Sequence, residues 1–106
     1  MCTFVSMMLY NVTVGIDQSI EAEWLPWMKE VHIPAVLETG MFLNAKIYKV
    51  LHDNPDGSIS YSVQYFANSI NEIEHYLEHY APRLVEAHKQ KFRDKHVAFR
   101  TVLQEV

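Results

Sequence analysis

From position 58 to position 65 the chain alternates without exception. Ile59, Tyr61, Val63 and Tyr65 are apolar or aromatic, and Ser58, Ser60, Ser62 and Gln64 are polar. A period of two marks an antiparallel strand with one buried face, and it predicts a strand over 58–67. Met8 to Ile16 alternates with β-branched and aromatic residues and reads as an earlier strand. Phe42–Leu51 and Lys95–Leu103 are expected to be the other two. Asp53-Asn54-Pro55-Asp56-Gly57 supplies the fixed φ of proline and the residue types that tolerate positive φ, so it is read as the turn of a hairpin.

Two segments carry a helical period instead. Asp17 and Ser19 offer caps, after which Ile20, Trp24, Trp27, Met28 and Val31 fall on one stripe. Pro26 lies within that stripe and removes an amide donor, so a kinked or late-starting helix is expected. Pro34 interrupts again just after His32 and Ile33. Ala35 to Glu38 can form one further turn before Gly40 stops it. Ser69-Ile70-Asn71-Glu72 has the form of a capping box, with the serine hydroxyl accepting from the third amide and the glutamate reaching back. Ile70, Ile73, Leu77, Tyr80, Leu84 and Ala87 then make an apolar stripe that Pro82 is expected to bend but not end.

Strand, helix, strand, strand, helix, strand is the βαββαβ order of a ferredoxin-like α+β fold, a four-stranded antiparallel sheet with two helices on one face. Alternation assigns Tyr10, Val12, Val14, Leu43, Ala45, Ile47, Ile59, Tyr61, Val63, Tyr65, Val97 and Phe99 to the face beneath the helices. The opposite face then takes Asn11, Thr13, Lys46, Tyr48, Ser60, Ser62, Gln64, His96 and Arg100. That polar face either meets solvent or is covered by a second sheet across a two-fold axis. The length of 106 residues suits a single domain, with residues 1–6 expected to be a disordered extension ahead of a core over 7–104.

Composition narrows the function classes. Thirteen acidic against nine basic side chains give a formal charge of −4, which argues against a phosphate-backbone partner, so no nucleic acid is expected. Lys89, Lys91, Arg93 and Lys95 are read as cations at a helix C-terminus. The single cysteine, Cys2, excludes an internal disulfide framework. With no long apolar span or leader pattern, the chain is expected to be cytoplasmic and free of the membrane.

The run Glu23-Trp24-Leu25-Pro26-Trp27-Met28-Lys29-Glu30-Val31-His32-Ile33-Pro34, with Leu37, Thr39-Gly40 and Phe42, resembles the first helix and helix-to-strand corner of the dimeric α/β-barrel superfamily. EthD-like domains and antibiotic-biosynthesis monooxygenases belong to that group. Tyr10-Asn11-Val12-Thr13, Tyr61 to Tyr65, Ala81-Pro82-Arg83-Leu84 and Val97 to Thr101 are more closely similar to a bacterial domain family of unknown function within it. The resemblance implies the fold and a homodimer. It transfers no reaction, because function resides in sites grafted on a fold.

Among candidate residues His32 comes first, as a candidate catalytic base at a helix break near Trp24 and Trp27. A structural role at a helix terminus is its alternative. Tyr10, Asn11 and Tyr48 are kept because some cofactor-independent members of the superfamily use such residue types around an aromatic substrate. Arg100 and Lys46, expected on one face, can hold a carboxylate or phenolate, or else pair with a glutamate such as Glu105. Glu72, His75 and His79 recur on one helix face, a weak signal, and no metal, haem or other cofactor is assigned. No hydrolase motif or phosphate loop is present.

The resulting expectation is a homodimeric protein that binds a small aromatic or acidic metabolite in a cavity between sheet and helices. Tyr10, Asn11, Trp24, Trp27, Lys46, Tyr48, Ser62, Gln64 and Arg100 are its expected ligand-binding residues. A cofactor-independent monooxygenase, isomerase or cyclase reaction is the catalytic alternative, and a structural or interaction dimer is the non-catalytic one. An enclosed pocket of roughly 300 Å³ with convergent polar groups separates ligand binding from the structural reading.

Overall fold

A computed structural model describes residues 7–106; the extension expected over residues 1–6 lies outside the described residues. The elements are β1 (Met8–Ile16), α1 (Glu21–Trp27), a π-helical segment (Met28–His32), α2 (Ile33–Leu37), β2 (Asn44–Lys49), β3 (Ile59–Ala67), α3 (Ile70–His79), α4 (Ala81–Lys91) and β4 (His96–Gln104). The sheet runs β2-β3-β1-β4 with every pair antiparallel, the order of a ferredoxin-like fold. Strand β1 sits between β3 and β4, and Val63, Tyr65, Tyr10, Val14 and Ile16 form the buried floor under the helices. Trp24, Met28, Val36, Ile73, Tyr76 and Leu84 cover that floor from the helical layer.

Local signals account for most boundaries. The Asp17 carboxylate accepts from the Ser19 amide and opens the first helical turn, while Gly40 and Gly57 adopt the positive φ needed after α2 and in the β2–β3 turn. Ser69 takes extended backbone before α3, but its hydroxyl donates to the Glu72 carboxylate. The third amide expected to bond that hydroxyl receives no side-chain cap.

Three features of the expected layout need correction. Each predicted helix is divided: Pro26 and Pro34 bracket a π turn, and Pro82 starts α4 instead of bending one long helix. Leu43 is 56% exposed, and its neighbour Phe42 enters the core to stack on Tyr10 and meet Tyr65 at a tilt. Strand β4 has the reverse phase. Ile16 faces His96, Val14 faces Ala98 and Val12 faces Arg100, so His96 and Arg100 lie on the helix side. Val97 and Phe99 lie on the other side, 73% and 63% exposed. Gly15 marks this phase, because a Cβ placed there would meet Cγ2 of Val97 at 3.3 Å. Both alternating sets of β4 contain apolar residues, and pattern alone favoured the larger ones for the core. Partners outside the strand decide otherwise, since Nδ1 of His96 is held at 2.8 Å from the Phe92 carbonyl.

Candidate functional site

The helix breaks determine which side chains reach the interior. Trp24, Met28, His32 and Val36 all face inward at steps of four, a spacing that a helix of 3.6 residues per turn cannot keep on one side for long. One wider turn corrects the drift. The Ile33 amide donates to the Met28 carbonyl five residues back, and His32 takes the inward place expected for Val31, which is 52% exposed. On the opposite helix Ala81, Leu84, Val85, His88 and Phe92 follow an undisturbed helical stripe once Ala81 is the start. His88 therefore points in where Ala87 was expected.

Beneath these helices and over β1 and β4 lies a cavity of about 360 Å³. Its sheet side includes Tyr10, Val12, Val14, Val63, Tyr65, His96, Ala98 and Arg100, and its helix side includes Met28, His32, Tyr76, Val85, His88 and Lys89. The lining contains three imidazoles, an arginine and a lysine, with no aspartate or glutamate. A chain carrying a formal charge of −4 thus places cations and no carboxylate around its cavity.

Two of the three imidazoles, His88 and His32, are held neutral near pH 7. Nε1 of Trp24 donates to Nε2 of His88 at 2.9 Å, and an indole can only donate, so the His88 proton is on Nδ1. Burial holds the His88 pKa down at about 3, and repulsion from His96 and His32 when they are protonated, and from Arg100, acts in the same direction. His32 is lowered to about 4, by burial first and by the Arg100 charge second, and its ring stacks on Trp27 with centroids 5.2 Å apart. His96 and His88 meet edge to face at 4.4 Å, and His32 lies 5.8 Å from His88. Burial raises the hydroxyl pKa values of Tyr65, Tyr76 and Tyr10, and Arg100 opposes the rise at Tyr10.

Residues 7–106 match the family described as Domain of unknown function (DUF4286). The chain belongs to that family. No curated protein matches its sequence. Solved structures resemble this DUF4286 chain in fold. An EthD family protein from Bacillus halodurans superposes with a TM-score of 0.68 at 10% identity, covering 93% of this chain and 99% of that one. A dimeric ferredoxin-like protein from an uncultured marine organism gives 0.66 at 9% identity, with 95% and 96% covered. The hydroxynitrile lyase of Passiflora edulis gives 0.56 at 13% identity, with 93% and 95% covered. The resemblance to EthD-like and ferredoxin-like domains read from the sequence therefore stands.

The DUF4286 fold brings some expected site residues together and separates others. Tyr10, His32 and Arg100 line the cavity, and Trp24 and Trp27 stand behind it against His88 and His32. Asn11, Lys46, Tyr48, Ser62 and Gln64 lie on the opposite, helix-free face. There Asn11 donates to Thr13, Ser62 donates to Asn11, and Gln64 donates to Ser62. Lys46 and Arg100 thus sit on opposite sides of the sheet. The Lys46 ammonium rests over the Phe66 ring, and Glu105 accepts from the Met7 amide.

Sequence reasoning missed His88, His96 and Tyr76 as cavity residues. Proline at the first turn of α4 is the signal that could have placed His88, because it starts a fresh helical phase. Glu72, His75 and His79 form no chelate: Glu72 is engaged by Ser69, and His75 and His79 stack at 4.3 Å. No group of three or more potential metal ligands is arranged around a common point among the described residues.

Proposed function

We propose that this DUF4286 protein is a cytoplasmic homodimer that binds a small aromatic or acidic metabolite, as its anion, in the cavity between α4, the π segment and the β1–β4 half of the sheet. The observation that carries the reading is the charge of the lining: Arg100 and Lys89 stand there with no carboxylate among the lining residues. Among the described residues Arg100 makes no ion pair. A guanidinium at a cavity mouth is a bidentate receptor for a carboxylate. The volume of about 360 Å³ lies within the range of small-molecule sites, and tyrosine, valine and methionine walls suit a ring.

The dimer draws on different support. Val97, Phe99 and Leu103 expose an apolar strip along β4 beside the polar network of the open sheet face. A similar fold is described as a dimeric ferredoxin-like protein. Among the described residues no helix is long and apolar enough to cross a membrane.

Native mass spectrometry of freshly purified protein tests both parts of the proposal. The expected spectrum is a dimer carrying one small acid per subunit, with the acid lost in the Arg100→Met variant. A dimer whose occupancy is indifferent to that substitution contradicts the site, and a monomer contradicts the assembly.

A further inference from the structure

Strand β4 presents His96, Ala98 and Arg100 to the cavity in that order, because alternate residues share one face. The backbone positions of His96 and Arg100 are four strand residues apart, roughly 13 Å at about 3.3 Å per residue. Ala98 between them contributes only a methyl group, and Val14 and Val12 oppose Ala98 and Arg100 on β1 as a flat apolar floor. The space above Ala98 is thus a slot with a different polar group at each end.

Those ends have opposite hydrogen-bonding character. Arg100 can only donate. His96 is constrained by the Phe92 carbonyl, which can only accept, so Nδ1 at 2.8 Å carries a proton, and in the neutral ring Nε2 carries the lone pair. Of the other two imidazoles, His88 has its own Nε2 filled by Trp24, and His32 lies flat against Trp27. His96 is therefore the imidazole of the cavity with a ring nitrogen fixed as an acceptor and engaged by no other side chain among the described residues. A second carboxylate on the ligand would face that lone pair and be repelled, whereas a hydroxyl would be drawn to it.

We infer that the cavity selects aromatic carboxylates with a hydrogen-bond donor at the far end of the ring, the carboxylate on Arg100 and the donor on Nε2 of His96. A strand spacing of that order leaves room for a single ring between the two polar ends. This assignment rests on the anion-binding reading above and sharpens it to a ligand class.

Isothermal titration above pH 7 with para-hydroxybenzoate, para-aminobenzoate, benzoate and para-methoxybenzoate tests the assignment on the unaltered protein. The two ligands that donate are expected to bind about tenfold more tightly than the two that cannot, the size of one net hydrogen bond. His96→Leu should erase that preference while keeping the affinity for benzoate. Equal affinities across the wild-type series, or a preference that survives His96→Leu, would overturn the inference and leave the anion site standing. Absence of binding by all four ligands, or affinities unchanged in Arg100→Met, would overturn the anion site itself and this inference with it. The wild-type series alone decides the matter if the His96 variant does not fold.

Discussion

Trp24 on α1 and His88 on α4 are 64 residues apart in sequence, and the indole Nε1 donates to the imidazole Nε2 at 2.9 Å in the interior. Trp24 has no exposed surface and His88 only 8%, so neither group can turn to water. The bond ties the two helical arms together above the sheet and fixes the tautomer of a cavity imidazole.

Replacing His88 by phenylalanine leaves the Trp24 N–H buried with no acceptor, and a loss of about 1–3 kcal/mol in folding stability is expected. Glutamine at the same position keeps an acceptor oxygen and should recover most of that loss. Urea unfolding of the two variants provides the comparison. Equal stability of His88→Phe and His88→Gln would show that the indole bond contributes nothing.

Acid should weaken the protein earlier than its carboxylates alone would dictate. In the unfolded chain a histidine titrates near pH 6.5, whereas in the fold His32 and His88 are held at about 4 and about 3. Below pH 6.5 the unfolded state binds protons that the folded state refuses. Stability present above pH 6.5 is therefore lost as pH falls, until the folded histidines protonate as well. Each such histidine contributes at most about 1.4 kcal/mol per pH unit in that window. Asp17, Glu21, Asp56 and Glu72, whose pKa values lie below their ordinary ones, contribute only further down. The melting temperature should fall between pH 6.5 and pH 5 in the wild type and fall less steeply in His88→Gln. A flat wild-type profile over that interval is the contrary outcome.

The open sheet face makes a separate prediction. Phe99 and Val97 are exposed beside one another on edge strand β4, and covering them by a second subunit removes apolar surface from water. Phe99→Asp should turn a micromolar dimer into a monomer with little change in monomer folding, because that side chain is 63% exposed in the subunit. Sedimentation velocity distinguishes the two. Sedimentation of the wild type as a monomer would remove the dimer from the account.

The fold was legible in the sequence because β1, β3 and the turn between β2 and β3 each announce themselves by local rules. Period-two alternation, Gly57 and the cap residues leave little choice of element order. The site was only partly legible, for two physical reasons. Where both alternating sets of a strand are acceptable in a core, as in β4, the phase is set by partners outside the strand, the nearby Phe92 carbonyl and the distant β1. Where a helix changes its turn, as at Met28–His32 and again at Ala81, a single uninterrupted stripe misplaces the residues that follow. His32 was found because Pro34 follows it closely. His88 and His96 were missed because their inward direction depends on those two adjustments.

The central claim is an anion held by Arg100 in a cavity lined by three imidazoles, and nitrogen NMR of the histidine side chains reports on it directly. With benzoate added at neutral pH, the ring nitrogens of His32, His88 and His96 are predicted to shift together and saturably, and Arg100→Met is predicted to abolish the change. Signals from those three rings that stay fixed, while the exposed His52, His75 and His79 alone respond, would contradict it.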